Sequence, residues 1–150
     1  MNRIKTTLLS TLFIIASLQN MVVYADNAKS VDTTEHRLVI QISSDDIRAQ
    51  ETALGNIINL QKHYGMDNIE IELVAFGPGY RMLTQQSPLS PRIASLALQE
   101  VTFTACKNTM LSVKEKMGFM PKLIEGVTIT KAGVARIIAL QEQGYSYINY

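Results

Sequence analysis

Short apolar runs alternate along the chain with longer segments whose apolar residues recur every three or four positions. The runs favour β-strands at residues 38–42, 69–76, 101–105, 126–128 and 145–148. The longer segments predict helices at about residues 46–64, 90–99, 106–117 and 130–144, with a short helical turn near residues 81–83. Strands that alternate with helices in this way are typical of right-handed βαβ units. The pattern therefore predicts an α/β fold with a mostly parallel five-stranded sheet and helices on both of its faces.

The last helix has a recognisable start, inner face and end. Thr130 is expected to cap its first turn, and Gly144 is expected to end it. Val134, Ile137 and Ile138 recur at helical spacing, so they are expected to face the core.

The first residues have the features of a secretory signal peptide. Arg3 and Lys5 give a positive start, residues 8–18 supply an apolar stretch, and Ala25 is a small residue at the expected cleavage point. We therefore expect residues 1–25 to be a signal peptide that is removed.

An uncleaved membrane anchor is the alternative interpretation of this segment. Gln19 and Asn20, however, interrupt the apolar run before it reaches the roughly 20 residues that a spanning helix needs. We expect an exported, periplasmic protein that has no contact with the membrane after cleavage. Residues 26–36 are polar and predict a flexible lead-in, and residues 37–150 are expected to form one domain.

The charge and the cysteine content narrow the possible functions. The chain has 14 basic and 13 acidic side chains and a single cysteine, Cys106. Without Arg3 and Lys5 the charges nearly cancel, so bulk electrostatics give no reason to expect binding to nucleic acid. Cys106 cannot form a disulfide within this sequence, so it is free or pairs with another molecule. The alternative is a buried cysteine that acts only as a small apolar side chain.

Three segments that follow predicted strands are candidates for chemistry, because ligands bind at the carboxyl ends of parallel strands. They are residues 43–46, 77–80 and 105–108. Cys106 stands where a strand passes into a helix, and the amides and the dipole at a helix start stabilise a thiolate. We expect Cys106 to be the reactive residue, and the candidate ligand-binding residues are Ser44, Asp45, Gly77, Gly79, Lys107 and Asn108. The alternative is that the serine and aspartates only cap a helix and the glycines only form a turn.

Several familiar motifs are missing from the sequence. It contains no second cysteine for a CxxC exchange motif, no metal-ligand spacing and no glycine-rich phosphate loop. We therefore expect neither a metal nor a cofactor. His36 and His63 are not obviously close to Cys106, so a Cys-His nucleophile pair has little support.

Four stretches of the sequence carry a resemblance to a known family. They are the strand with its SSDD turn, the VAFGPG turn, the VTFTACKNTM junction and the ending AGVARIIALQEQGYSYI. Through them, the chain from about Arg37 to Tyr150 resembles the DsrE/DsrF-like sulfur-relay superfamily, in its small, stand-alone, often exported branch related to YchN. The resemblance implies a three-layer α/β/α domain and assembly into a homotrimer or a homohexamer.

The resemblance also implies a chemical role for one residue. In characterised relay members a cysteine after the third strand accepts sulfane sulfur as a persulfide and hands it on, and Cys106 occupies the matching position. The leading hypothesis is a sulfur-handling protein whose partners are a sulfane sulfur donor and a thiol acceptor, with Cys106 as the carrier. The alternative is a non-catalytic oligomeric module that binds a small ligand or a partner while Cys106 only packs.

Overall fold

The structure is a computed structural model that describes residues 35–150, so the predicted signal peptide and most of the predicted lead-in lie outside it. The strands are His36–Ile42 (β1), Ile69–Ala75 (β2), Val101–Cys106 (β3), Thr128–Thr130 (β4) and Ser146–Asn149 (β5). The α-helices are Ile47–Tyr64 (α1), Ser90–Ala97 (α2), Lys107–Met117 (α3) and Gly133–Glu142 (α4). Two 3-10 helices, Met66–Asn68 and Gly77–Leu83, flank β2.

The five strands form one sheet in the order β4-β3-β2-β1-β5, and every pair is parallel. Parallel strands need crossover connections, which the helices between the predicted strands supply. The prediction of an α/β fold around a parallel five-stranded sheet is therefore confirmed.

The strand order places the helices in two layers. The chain moves in one direction across the sheet from β1 to β4, so right-handed crossovers put α1, α2 and α3 on the same face. It then returns across the whole sheet to β5, and α4 therefore covers the opposite face. The three layers predicted from the resemblance are present, but the second helical layer consists of α4 alone.

The two faces of the sheet carry cores of different size. The larger core lies under α1, α2 and α3, and its fully buried side chains include Ile40, Leu73 and Phe103. The smaller core lies under α4 and comprises Val39, Val74, Ile137, Leu140 and Tyr145, with Phe76 packed against it. Within residues 35–150, no helix has the length and apolar character to cross a bilayer.

Two details predicted for the last helix are wrong. Thr130 does not cap it, because Thr130 pairs with Cys106 in the sheet and α4 begins only at Gly133, after Ala132. Val134 and Ile138 do not face the core, since they are 54% and 52% exposed. The reason is that α4 contacts the sheet only through a narrow stripe of residues, which leaves its other apolar positions outside.

Other predicted boundaries differ less from the structure. The fourth strand spans Thr128–Thr130 rather than residues 126–128, because Gly126 lies in the turn before it with a positive φ of 84°. The short helical turn near residues 81–83 is part of the longer 3-10 helix Gly77–Leu83. β1 begins at His36, the last residue assigned to the flexible lead-in.

Gly79 is the position where the loop after β2 comes closest to the sheet. A Cβ atom added there would collide with the carbonyl oxygen of Ile42, the last residue of β1. Because that obstacle is backbone, it cannot rotate away as a side chain could. Glycine is therefore needed here so that the 3-10 helix can lie against the end of β1.

We expect Gly79→Ala to destabilise the fold by about 1–3 kcal/mol, the usual cost of forcing an atom into packed space. Gly55→Ala in α1 is the control, since its Cβ would meet only the end of the Arg92 side chain at 3.7 Å. A helix-interior alanine is expected to stabilise the chain by about 0.5–1 kcal/mol. Urea denaturation measures both changes, and equal midpoints for the two variants would contradict the close approach.

Candidate functional site

Cys106 lies at the end of the strand β3, and the helices that follow β3 and its neighbour β4 cover opposite faces of the sheet. It is the last residue of β3 and the N-cap of α3, with an extended backbone at φ −82° and ψ 116°. β4 lies beside β3, but the helix that follows β4 covers the opposite face. Adjacent strands whose following helices diverge in this way form a topological switch point, which is where parallel sheets bind ligands.

The starts of two helices meet at the cysteine sulfur. Cys106 itself precedes the first residue of α3, and the backbone N–H of Gly133, the first residue of α4, donates a hydrogen bond to Sγ at 3.3 Å. The N-terminal end of each helix carries partial positive charge and unpaired N–H groups. Both helices therefore favour negative charge on this sulfur.

Thr109 adds a hydroxyl and a further amide to the site. Hydrogen bonding from its backbone N–H and from its side-chain hydroxyl lowers the pKa of Cys106. Its Oγ1 in turn accepts a hydrogen bond from the backbone N–H of Gly77 at 3.1 Å. Because Oγ1 accepts from Gly77, its own hydrogen is left to point at the sulfur.

These contacts lower the pKa of Cys106 although the residue is only 5% exposed. Burial is the largest single effect and would raise the pKa. The hydrogen bonds from Thr109 and Gly133 together outweigh it, so the pKa of Cys106 lies below its usual value. The N–H of Asn108 contributes least, since it also donates to the carbonyl oxygen of Lys131 at 3.3 Å.

The contact between Gly133 and Phe76 fixes how close α4 comes to the sulfur. A Cβ atom at position 133 would lie 3.0 Å from the ring of Phe76, which packs in the smaller core. A larger residue would therefore push the first turn of α4 away from β2 and lengthen the hydrogen bond to Cys106. The packing of Gly133 against Phe76 and the hydrogen bond from its N–H to Cys106 therefore both depend on the close approach of α4 to the sheet.

The structure brings part of the predicted site together around Cys106. Gly77 contacts it through Thr109, and Asn108 adjoins it through its backbone. Lys107 is the first residue of α3 and its side chain is exposed. Gly79 packs against Ile42 and has a structural role at this edge.

Ser44 and Asp45 have other partners. The hydroxyl of Ser44 accepts from the N–H of Asp46 at 3.1 Å, and Asp46 caps α1 by accepting from Arg48. The carboxylate of Asp45 forms an ion pair with Arg81 at 2.8 Å. These residues therefore shape the start of α1 and its contact with the 3-10 helix, and none of these contacts reaches the sulfur.

Sequence reasoning missed Thr109 and Gly133. Thr109 could have been found, because the third residue of a helix points its side chain back toward the helix start. Gly133 gave no such signal, since its contact with Cys106 joins residues 27 positions apart. Only the position of β4 beside β3 brings it there.

Two clefts open near this edge of the sheet. A cleft of about 590 Å³ is lined by Gly77, Asn108 and Thr109 on one side and by Lys116 and Phe119 on the other. A second cleft, of about 870 Å³, lies between the start of α1 and residues 119–122. In residues 35–150, no group of histidine, cysteine and acidic side chains is placed to hold a metal ion.

The fold and the position of Cys106 define a class of protein. Its members are α/β domains with a parallel sheet and a cysteine between a strand and the following helix, at the switch point of the sheet. A model of the DsrE/DsrF-like family matches residues 36–150. The chain therefore belongs to the DsrE/DsrF-like family, as the sequence motifs predicted. No match is found among curated proteins.

Solved structures give the same result for the fold. The protein of unknown function MTH1491 from Methanobacterium thermoautotrophicum is 30% identical, with a TM-score of 0.69 over 77% of this chain and 99% of that one. The ychN protein from E. coli is 16% identical, with a TM-score of 0.59 over 78% and 99% of the two chains. BT1422 from Bacteroides thetaiotaomicron is 15% identical, with a TM-score of 0.55 over 76% and 94%.

We expect Thr109→Val to raise the pKa of Cys106 by about one unit, the usual effect of removing one hydrogen bond to a charged group. The thiolate would then form at higher pH than in the wild-type protein. The ultraviolet absorbance of the thiolate across a pH titration measures this, with Cys106→Ser as the baseline. Thr109→Ser keeps the hydroxyl and should retain the wild-type midpoint, and a Thr109→Val midpoint equal to wild type would contradict the assignment.

Proposed function

We propose that this protein handles sulfane sulfur and that Cys106 is the residue that carries the transferred sulfur atom. Membership of the DsrE/DsrF-like family implies sulfur relay in general terms, and the persulfide step on this cysteine is our proposal. The observation that carries it is the position of one sulfur between the starts of α3 and α4, with Gly133 and Thr109 donating to it. A thiolate held in this way is the form that attacks sulfur–sulfur bonds.

The loading step is a nucleophilic displacement at sulfur. The Cys106 thiolate attacks the outer, sulfane sulfur of an anionic donor such as a persulfide or thiosulfate. A bond forms between Sγ and the sulfane sulfur while the donor's own sulfur–sulfur bond breaks. The bonding electron pair leaves with the donor as a thiolate or as sulfite, so no external oxidant or reductant is needed.

The release step repeats the same chemistry in the other direction. The thiolate of an acceptor attacks the outer sulfur of the Cys106 persulfide, and Sγ leaves as the thiolate. A low pKa makes a sulfur a better leaving group. The hydrogen bonds from Gly133 and Thr109 therefore support release as well as attack.

The surroundings of Cys106 favour a small, negatively charged donor. Lys107 and Lys131 flank the junction with exposed side chains, and the two helix starts add partial positive charge. At 5% exposure, Cys106 leaves little room for a bulky substrate. We therefore expect a small anionic donor to approach from the carboxyl ends of β3 and β4, where Lys107 and Lys131 lie.

We place this activity outside the cytoplasm. The motivating feature is the N-terminal pattern of residues 1–25, which has the positive, apolar and small-residue parts of a cleaved signal. Cleavage would leave the domain free in the periplasm, preceded by the polar residues 26–35. N-terminal sequencing of the protein from the periplasmic fraction tests this placement, and a retained Met1 would contradict it.

We expect incubation with thiosulfate, which carries one sulfane sulfur, to add the mass of one sulfur atom to the protein, and a thiol such as dithiothreitol to remove it. Intact-mass spectrometry measures both steps. The reason for a single addition is that the sequence has one cysteine. Cys106→Ser should show no addition, while Thr109→Ser should load like the wild type.

Two outcomes would contradict the proposal. One is an unchanged mass under conditions that load a control protein thiol. The other is an equal gain of mass by Cys106→Ser, which would place the added sulfur elsewhere.

The burial of Cys106 favours a second candidate function. In this alternative the cysteine only packs, and the cleft of about 590 Å³ beside Gly77 and Thr109 holds a small ligand or a partner segment. Ligand binding would then survive Cys106→Ser, whereas sulfur loading would not. The same pair of proteins therefore separates the two functions.

We also propose that the chain assembles into a homotrimer or homohexamer. Val134 and Ile138 form an apolar stripe on the outer side of α4, and Ile129 on the edge strand β4 is 56% exposed. Side chains of this kind are commonly covered in oligomers.

We expect native mass spectrometry at micromolar concentration to find three or six copies of the chain. Ile138→Asp should shift the population toward the monomer, because it places a charge in the apolar stripe. Leu98→Asp, at the residue that follows α2, is the matched control, since Leu98 is also exposed but lies on the other face of the sheet. A wild-type monomer would contradict the assembly.

A further inference from the structure

An ion pair between a half-exposed arginine and a buried carboxylate joins α4 to the middle of the sheet. Glu72 on β2 has a side chain that is 5% exposed, and Arg136 on α4 donates to both of its carboxylate oxygens. The distances are 3.0 Å from Nε to Oε1 and 2.7 Å from Nη2 to Oε2. This is the paired, two-point geometry in which arginine holds a carboxylate in a fixed orientation.

The carboxylate is itself held in place from the neighbouring strand. Thr104 on β3 donates its hydroxyl to Oε1 of Glu72 at 2.7 Å. Thr104 also shares a hydrogen bond with Thr128 on β4 at 2.7 Å. The pair therefore ties α4 to three adjacent strands, and Thr104 lies two residues before Cys106.

The apolar contacts of α4 are few. Its buried residues are Gly133, Ile137 and Leu140, and the rest of the helix is partly or fully exposed. Apolar contacts between a helix and a sheet do not fix direction or register closely, since they are non-directional. The two-point contact of Arg136 supplies the orientation that this narrow stripe does not.

Arg136 follows Gly133 by less than one helical turn. Gly133 donates to Cys106, and it also packs against Phe76, which lies beyond Glu72 on the same face of β2. The ion pair holds α4 at Arg136, and the Phe76 ring contacts α4 at Gly133. These two contacts together fix the Gly133 N–H relative to Cys106 at the end of β3. Release of Arg136 would leave that N–H free to move away from the sulfur.

We propose that Arg136, through its ion pair with Glu72, is a positioning residue that holds the start of α4 on Cys106. The inference rests on the proposed role of Cys106 as a reactive thiolate. Arg136 touches neither the sulfur nor the donor in this scheme. It acts through the Gly133 N–H, so its loss weakens thiolate stabilisation without removing any hydrogen-bond donor from the site.

Other charged and titratable groups lie near the ion pair of Glu72 and Arg136 and contribute to the electrostatic potential there. Burial raises the pKa of Tyr145, and hydrogen bonding to Glu70 adds to that rise. Arg37 on β1 forms an ion pair with Glu70 at 3.7 Å. Lys107 follows Cys106 directly, and Lys131 follows Thr130, the β4 residue that pairs with Cys106. Removal of Arg136 alone would change the electrostatic potential at Cys106 through the loss of one positive charge. The test therefore also needs a variant that leaves the net charge unchanged.

The test compares Arg136→Gln, Arg136→Lys and the double variant Glu72→Gln, Arg136→Leu. The double variant removes one charge of each sign, and the amide oxygen of the introduced glutamine can still accept from Thr104. The readouts are the midpoint of thiolate formation by ultraviolet absorbance and the rate of alkylation by iodoacetamide at neutral pH. Thermal unfolding confirms that each variant is folded, and Arg48→Gln, far from α4, controls for the loss of one positive charge.

We expect the midpoint to rise by about one pH unit in Arg136→Gln and in the double variant, which corresponds to roughly ten-fold slower alkylation at neutral pH. Arg136→Lys keeps one contact and should fall between these variants and the wild type. A folded double variant with the wild-type midpoint would overturn the inference. So would a rise in Arg48→Gln equal to that in Arg136→Gln, because the effect would then be one of net charge.

The two proposals can fail separately. If the wild-type protein takes up no sulfur but the midpoint shifts with Arg136, sulfur transfer fails and the positioning role stands. If sulfur loads on Cys106 and the midpoint is independent of Arg136, the positioning role fails alone.

Discussion

The site depends on one constraint: two adjacent strands send their helices to opposite faces of the sheet. β3 leads into α3 on one face, and β4 leads into α4 on the other. The two helices therefore start side by side with their N–H groups directed at the same place. Cys106, the last residue of β3, occupies it. The arrangement follows from the strand order, because a chain that continued in one direction would put both helices on one face.

Burial and activation oppose each other at Cys106, and the outcome is decided by polar contacts. Removal of water disfavours a thiolate, so an apolar environment would have left a neutral, inert thiol. Here the neighbours that bond to the sulfur are backbone N–H groups and the Thr109 hydroxyl. Such groups replace the water that the sulfur has lost, and they do so with their orientation already fixed. This is why low exposure and a lowered pKa occur together.

The sequence predicted what depends on local pattern and missed what depends on tertiary contact. The strand and helix periods, the junction at Cys106 and the glycine turn after β2 are all features of a few neighbouring residues. The exposed side of α4 could not be found in this way, because Val134 and Ile138 have the spacing of core residues. Whether they are covered depends on how many helices share that face of the sheet. The contacts of Gly133 with Cys106 and of Arg136 with Glu72 join distant segments, so periodicity gave no sign of them.

The low exposure of the sulfur also has a consequence for its oxidation. Over-oxidation of a thiolate adds two or three oxygen atoms and ends in acids that cells rarely reverse. Such products need volume around the sulfur, and at 5% exposure Cys106 has little open space to hold them. Low exposure therefore shields the thiol from irreversible oxidation.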